Sequence, residues 1–523
     1  SMVGQDCSMD NLPEGHGVHC MLLPGALTKP ARAWVVRGMS ISRAFGTNAS
    51  DVGNSLRALL RRVLFEYADG VYTPIFRPTS EVVEERLAYV REAFVRSIPC
   101  APVVVGMEDY PSLFTGSKRT LYQRAVDTLV TVPLNWGDAL IKAFVKREKV
   151  DLSKDPRLIQ PRSARFNVCL GRFLKMSERV ILQGVNRAFG GTVVAKGMTQ
   201  AQVGTLMSTR WNQFANPVAV GLDAARFDKH VSPAVLIGFE HMLYNAVFKS
   251  QEVANLLAQQ VVNRGVIYTR GGTITYRVNG CRMSGDVNTS LGNTLIMCGL
   301  VYAWCDHAGL PRNRYALVNN GDDSVVMMDR RDIGRFTDGL ESWFAELGFP
   351  MTVEAPVFEL ERVVFCQSQP IWTPTGWLMV RQIHNALAKD AMSLIDLSAP
   401  IQAQRWFGAV GDCGIACAGG IPIFDAAYRC YQRASGGVKS NILNHGSMRW
   451  TKWMLEHNDR GHSSVAEGTR YSFWLAFGIC AHDQKLIEAY YDSITLIPGT
   501  VTPLQTACQA DAFKKAPGAI SEI

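Results

Sequence analysis

The run Leu317-Val318-Asn319-Asn320-Gly321-Asp322-Asp323-Ser324-Val325-Val326 constrains this chain more than any other part of it. Two apolar, β-branched stretches meet at Asn-Gly, a hairpin signal. Two adjacent aspartates follow at once. Neighbouring carboxylates repel each other, and beside an apolar hairpin that repulsion is costly unless a cation is close. A divalent ion such as Mg²⁺ is the natural counter-charge, because it takes hard oxygen ligands from one or two carboxylates together with substrate phosphates. Taken alone, the segment also reads as a solvated turn.

A second segment shifts that balance. In Gly221-Leu222-Asp223-Ala224-Ala225-Arg226-Phe227-Asp228 an aspartate closes a short apolar strand, and another follows five residues later ahead of a helix. Along a straight strand these two would face opposite sides. Either they have different tasks or the chain turns between them. With Asp223 at a strand end beside a hairpin tip, Asp223, Asp322 and Asp323 form one candidate site for two metal ions, suited to activating a hydroxyl and neutralising a leaving pyrophosphate. In a third segment, Arg282-Met283-Ser284-Gly285-Asp286-Val287-Asn288-Thr289-Ser290-Leu291-Gly292-Asn293, a Ser-Gly loop leads into a helix. Thr289 and Asn293 are four apart and share a helical face, where a hydroxyl and an amide can read a ribose or serve as plain helix–helix hydrogen bonds.

The cationic charge is concentrated. The chain has 54 Lys and Arg against 46 Asp and Glu, a net +8, and the window Lys142–Arg187 alone has twelve basic and four acidic residues, the same surplus. Its first half, FVKREKVDLSKDPRLIQPRSARFN, alternates basic with apolar residues and is broken by Pro156 and Pro161, as an extended ribbon would be. Such a strip suits a polyanion, a nucleic acid or a triphosphate. With 47% hydrophobic and 19% charged residues, disorder and low-complexity classes are excluded. The 13 cysteines are too sparse for a disulfide scaffold and fit buried, reduced thiols. The first residues show no apolar leader, and Ser1 before Met2 reads as an expression scar. The uncharged stretch Val287–Cys305 is too polar in its first half to span a bilayer and is expected to be a buried helix. The His16, His19, Cys20 group is expected to be structural, and the Cys413, Cys417 pair to be part of the core.

Periodicity predicts helices at Glu81–Val95 (capped by Thr79 or Ser80), Lys118–Leu129, Trp136–Val145, Ser232–Lys249 with Ser232 as N-cap and Pro233 at N1, Ser290–Cys305 and Arg335–Leu347. Strands are expected at Asn216–Leu222, in a hairpin over Val266–Val278, and at Tyr315–Val318, Ser324–Met328, Val363–Gln367 and Trp377–Val380. A mostly helical region follows Ser398. The order of elements between 216 and 347 indicates an α+β core.

In this order the three aspartate-bearing segments resemble the palm motifs of viral RNA-dependent RNA polymerases, most nearly those of the tombusvirus family within the flavivirus-like group. The resemblance runs from about Phe114 to Lys389. The basic ribbon resembles the fingers motif of that family, Phe365-Cys366-Gln367 its primer-grip element, and Phe114-Thr115-Gly116-Ser117-Lys118-Arg119 the segment lining the template path. The fold implied is a closed right hand with an antiparallel, RRM-like palm sheet and a mostly helical thumb: N-terminal extension and fingers at 1–215, palm at 216–235 and 281–375, a fingers insertion at 236–280 and thumb at 376–523.

The resemblance also implies roles. Asp223, Asp322 and Asp323 would hold two Mg²⁺ or Mn²⁺ ions. Asp228 and Asn293 would contact the ribose 2′-hydroxyl, with Ser284 and Thr289 positioning sugar and template. Lys146, Arg157 and Arg162 would hold the triphosphate, with Lys154 a lesser candidate, and Gly116, Lys118 and Gly285 would meet the template. One departure stands out: Thr352 occupies the place, just before Val353-Glu354, where the family carries a lysine thought to protonate the leaving pyrophosphate. The activity implied is RNA-templated RNA synthesis from ribonucleoside triphosphates, replicating a positive-strand viral genome with primer-independent initiation. The partners implied are RNA template and product and a viral membrane-anchoring replication protein, since no intrinsic span is expected. The setting implied is the host cytoplasm at membrane-bound replication complexes. A reverse transcriptase or DNA polymerase usually has an aromatic residue where Asp228 stands, and an RNA-binding protein without activity would leave the strand-end aspartates unexplained.

Overall fold

The aspartate-bearing segments belong to one sheet. In the computed structural model, which describes residues 5–9, 16–23, 31–39, 45–438 and 442–506, four strands are arranged in the order β2 (Tyr315–Asn320), β3 (Asp323–Asp329), β1 (Pro217–Ala224) and β4 (Met351–Val353), each antiparallel to its neighbour. The tight turn at Gly321 (φ +71°) joins β2 to β3. Leu317, Val318, Val325 and Val326 are buried, as two apolar hairpin strands within a core require.

Helices cover this sheet. α1 (Ser80–Arg96) starts as its sequence predicts, the Thr79 side chain accepting from the Val82 N–H. α2 spans Gly116–Thr131 and α3 Ala164–Ala188. Past its first turns α4 (Thr289–His307) is apolar on every side: Leu295 to Cys298, Leu300 and Val301 are wholly buried. A helix apolar all round belongs inside a large core, and among the described residues no helix is long and apolar enough to cross a membrane. The Ser232 hydroxyl accepts from the Val235 N–H, and helical backbone runs on to Phe248 through a wide turn at Leu236–His241.

A second sheet carries the basic ribbon. Its order is Gln5–Met9, Gly17–Leu22, Gly272–Asn279, Val262–Thr269, Ile141–Val145 and Leu158–Ile159, with Ile141–Val145 parallel to Val262–Thr269 and the other pairs antiparallel. Strand Ala31–Val36 pairs with both Met392–Ser393 and Val501–Thr506, tying the two ends of the chain. The C-terminal region is otherwise helical, and residues 507–523 lie outside the described residues, as does Ser1.

Four expectations are corrected. Only Trp136–Ala139 of the expected Trp136–Val145 helix is helical; Ile141–Val145 is a strand whose residues alternate buried and exposed. The expected helix Arg335–Leu347 is split into Ile333–Thr337 and Leu340–Glu346 by Gly339 at φ +82°. Val363–Gln367 is not a strand, because Cys366 (φ +49°) and Gln367 (φ +58°) turn the chain; pairing begins at Ser368. Cys413 and Cys417 are half-buried on helix Pro400–Ala418 rather than in the core. His16 and Cys20 are buried, and His16 Nδ1 accepts from the Asn279 N–H, a structural setting.

Candidate functional site

The sheet register gathers the carboxylates. β1 pairs with β3 as far as Leu222–Ser324, so the next residues, Asp223 and Asp323, follow at one end of the sheet. Asp322 occupies the adjoining turn. Asp223, Asp228 and Asp322 all line a cavity of about 1110 Å³. Asp322 faces that cavity yet is ringed by protein: burial raises its carboxyl above the usual range, the charges of Asp228 and Asp223 push the same way, and the Arg157 guanidinium opposes them. Asp323, outside the cavity lining, is raised to about 6 by burial and by Asp322, against a hydrogen bond from the Cys366 N–H to its Oδ2 at 2.8 Å. Glu354 is also raised, by burial and by Asp223.

The chain does turn between Asp223 and Asp228, as their five-residue spacing requires. Arg226 sits at φ +55° and starts a short helix, Phe227–His230. Asp228 is thereby aimed at the Ser-Gly loop: its Oδ2 accepts from the Ser284 hydroxyl and its Oδ1 from Asn293 Nδ2 at 2.8 Å. The Arg282 Nε–H occupies Asn293 Oδ1 at 3.0 Å, which leaves the amide NH₂ to face Asp228. Arg282 is itself fixed by a buried ion pair with Glu240. The Thr289 hydroxyl donates within its own loop, to the carbonyls of Met283 and Asp286. Ser284, Gly285, Thr289 and Asn293 line the cavity with Asp228. Gly285 (φ +153°) lies so close to Gln160 and Pro161 that a Cβ would come within 2.8 Å of the Pro161 nitrogen, so the loop packs there only without a side chain.

Cations share the cavity with the carboxylates. Arg157 and Lys154 line the cavity. Lys146 is outside that lining and pairs with Glu148 at 3.0 Å; Arg157 reaches the same carboxylate at 3.4 Å. Arg162 departs from expectation. Its side chain is 1% exposed and clamps Asp286 at 2.7 Å, while also donating to the Ala139 and Gln259 carbonyls. It is turned into the protein and is no phosphate ligand; its place is the joint between ribbon and Ser-Gly loop. Lys118 lines a separate cavity of about 260 Å³ with Phe114 and Lys175, a cavity that Gly285 also borders. Gly116 begins α2 at φ +58°, with open space where a Cβ would be, and is outside both linings.

Several residues at this site escape a reading by motif. Arg62 and Arg226 line the cavity. One buried carboxylate, Asp155, pairs with Arg226 (2.6 Å), Arg61 (3.2 Å) and Arg57 (3.8 Å), leaving cationic charge in surplus. Arg62 is held below its ordinary value by burial and by the charges of Arg226 and Arg157. Next to Asp228, Lys229 and His230 bind Glu66. Burial alone would raise the Glu66 carboxyl, but the hydrogen bonds from His230 and Lys229 outweigh it and bring it to about 2. Lys229 and His230 nonetheless fall below their own ordinary values, because their burial exceeds what Glu66 returns. Only the local Asp-x-x-x-x-Asp-Lys-His order hinted at this cluster. Thr352 pairs with Asp223 across β4 and β1, so the departure from the family lysine lies beside the carboxylates.

The donor chemistry suits a divalent cation: hard carboxylate oxygens, crowded enough to raise the Asp322 and Asp323 carboxyls, in a cavity that also bears cations. Among the described residues, no three His, Cys, Asp or Glu close into a complete ligand set by themselves. A Mg²⁺ ion held there would take its remaining ligands from substrate phosphate and water, as that ion usually does.

Comparison with known proteins agrees with this geometry. A family model described as viral RNA dependent RNA polymerase matches residues 22–498. The RNA-directed RNA polymerase of Turnip crinkle virus is 36% identical over 478 residues, covering 90% of this chain and 60% of that protein. That of Tobacco necrosis virus (strain A) is 37% identical over 473 residues, covering 88% and 64%. That of Carnation mottle virus is 36% identical over 474 residues, covering 90% and 61%. The chain spans about three-fifths of the length of these relatives. With the match running through the strands and loops that build the cavity, the chain belongs to the viral RNA dependent RNA polymerase family.

Proposed function

We propose that this chain carries out RNA-templated RNA synthesis, joining ribonucleoside triphosphates to a growing strand and thereby replicating a positive-strand viral genome. The observation that carries the reading is the gathering of Asp223, Asp228 and Asp322 in one cavity whose lining also bears Arg62, Lys154 and Arg157. In the reaction the 3′-hydroxyl oxygen of the acceptor bonds to the α-phosphorus. The bond to the β-phosphate breaks, pyrophosphate leaves with the electron pair, and the hydroxyl proton passes to water. Two divalent ions, Mg²⁺ or Mn²⁺, held by Asp223, Asp322 and Asp323, supply acidification of the hydroxyl and charge neutralisation when bound.

The protein's own contribution is positioning. Arg157, Lys154, Arg62 and Arg226 bind and orient the triphosphate, whose charge relieves their mutual repulsion. Asp228, oriented by Asn293 and Ser284, accepts from the 2′-hydroxyl of the incoming sugar. Gly285 and Lys118 border the template path. Thr352, beside Asp223, cannot protonate the leaving pyrophosphate, so that proton comes from water or from a basic residue elsewhere in the cavity. The same proposal divides the chain into fingers (1–215 and 236–280), palm (216–235 and 281–375) and thumb (376–523). It includes primer-independent initiation, and a host-cytoplasmic setting at membranes reached through a membrane-anchoring viral protein.

The test is synthesis on a short RNA template with Mg²⁺ or Mn²⁺. Asp322→Ala should lower nucleotide addition by about a thousandfold or more, with RNA affinity within about twofold of wild type because the basic strip is separate from the carboxylates. Normal synthesis by that variant would refute the assignment.

A further inference from the structure

The six-stranded sheet that carries the start of the basic ribbon has one face inside the protein and one outside. Ile141, Ala143, Val145, Ile267 and Ile274 are buried against helical residues 52–64. The alternate residues of the same strands face water. A sheet solvated on one face normally carries polar side chains there. This one carries Tyr268, 68% exposed, and Phe144, 46% exposed.

Register brings the two rings together. The parallel ladder between Ile141–Val145 and Val262–Thr269 matches Ala143 with Ile267. Phe144 and Tyr268 are the next residue on each strand, so they project from neighbouring strands on the same face. Lys142, two residues before Phe144, is matched with Val266. Val266 is matched on its other side with Thr275, and Arg264 stands directly opposite Arg277. Lys142, Arg264, Thr275 and Arg277 are all exposed. Like charges directly opposite on one face of a sheet repel and destabilise it. Among the described residues, none of Lys142, Arg264 and Arg277 has a carboxylate partner.

An anion on this face would relieve the repulsion between Arg264 and Arg277, and flat groups would cover apolar ring surface now in water. Single-stranded RNA offers both, since its unpaired bases stack on aromatic side chains of a sheet while Lys and Arg hold its phosphates. A duplex hides its base faces and cannot use the rings. The face also lies outside the catalytic cavity: Lys142, Phe144, Arg264, Tyr268 and Arg277 are absent from its lining. It begins one strand away, because Phe144 is matched with Ile159, which does line that cavity. We propose that this outer face is a second RNA site, where unpaired RNA stacks bases on Phe144 and Tyr268 and sets phosphates against Lys142, Arg264 and Arg277.

The experiment measures the affinity of the full chain for an oligouridylate of about 30 nucleotides, long enough to reach past the cavity, and for an RNA duplex, over a salt series. Phe144→Ala/Tyr268→Ala should raise the Kd for the oligouridylate about tenfold and leave the duplex within about twofold. Phe144→Tyr/Tyr268→Phe, which keeps both rings, should stay near wild type. Arg264→Gln/Arg277→Gln should lower the slope of log affinity against log salt by about 1.4, the loss of two single-strand phosphate contacts. In all three the KM for nucleotides on a short template should be unchanged, and 4-thiouridine in the oligouridylate should cross-link to the peptide containing Tyr268.

An oligouridylate Kd within about twofold of wild type in the Ala variant overturns the inference and leaves the face to a protein partner. Equal weakening for oligouridylate and duplex, or a loss that the ring-keeping variant shares, overturns it as well, since either marks a structural effect. An unmoved salt slope removes the arginines from the site. Wild-type chain that binds the oligouridylate at this face but synthesises nothing overturns the polymerase reading alone.

Discussion

Asn293 donates to Asp228 Oδ1 at 2.8 Å, joining the first turns of a buried helix to a short helix 65 residues earlier. The pair leaves Asp228 at the cavity wall as an acceptor already oriented on two sides. A site built to hydrogen-bond a substrate hydroxyl rejects the analogue lacking it. Asp228→Ala should therefore reduce discrimination between ribo- and deoxyribonucleotides about tenfold or more, with Asn293→Ala moving it the same way by less. The measurement is the ratio of kcat/KM values for the two sugars; a ratio unchanged in both variants would remove the pair from sugar recognition.

Arg157 and Arg162 are five residues apart and should fail differently. Arg157 is half-exposed at the cavity, so Arg157→Ala should raise the KM for nucleotides several-fold without loss of folding. Arg162→Ala leaves Asp286 buried and unpaired, at a cost of about 3–5 kcal/mol. It should appear as a lower urea midpoint. Equal stability of the two variants would contradict the buried placement of Arg162.

Asp323 holds its proton up to about pH 6, above an ordinary aspartate. A carboxyl raised in the folded state contributes stability that is present at low pH and is lost as pH rises through that value. In chelator, Asp323→Asn should therefore stabilise the protein relative to wild type more at pH 7.5 than at pH 5. Added Mg²⁺ should narrow that difference by binding the wild-type carboxylate. Thermal midpoints at the two pH values decide it, and a variant effect independent of pH would contradict the burial of this group.

Glu66 has the opposite sign. Its carboxyl is lowered to about 2 by His230 and Lys229, so its contribution is present above the usual carboxylate range and lost as pH falls toward 2. Glu66→Gln should lower the urea midpoint at pH 6 more than at pH 3. The reverse order would mean that Glu66 is not the partner of the buried Lys229.

Much of the site is legible in short stretches of chain. The Asn320-Gly321 turn between apolar strands, the Ser232-Pro233 helix start and the Asp223 strand end each depend on neighbours a few residues away, and each forms where its residues place it. Where local signals compete, the reading slips. Ile141–Val145 could serve in helix or strand, and pairing with Val262–Thr269, far along the chain, settles it as strand. Arg162 looked like its neighbour Arg157 because an arginine's partners cannot be read from spacing; Asp286, 124 residues away, makes it structural. Arg62 carries no motif at all, and only the packing of its helix against the Arg226 turn brings it to the cavity.

The amino-acid sequence alone determined that two strand ends and one helix start would carry carboxylates, an amide and a hydroxyl, because hydrophobic period, turn chemistry and capping act over a few residues. The tertiary structure decided which of those groups share a cavity, which cations face them and which are consumed in buried pairs. Those outcomes depend on charge and burial between segments tens to hundreds of residues apart, where the low-dielectric interior makes each pairing strong and no local pattern records it.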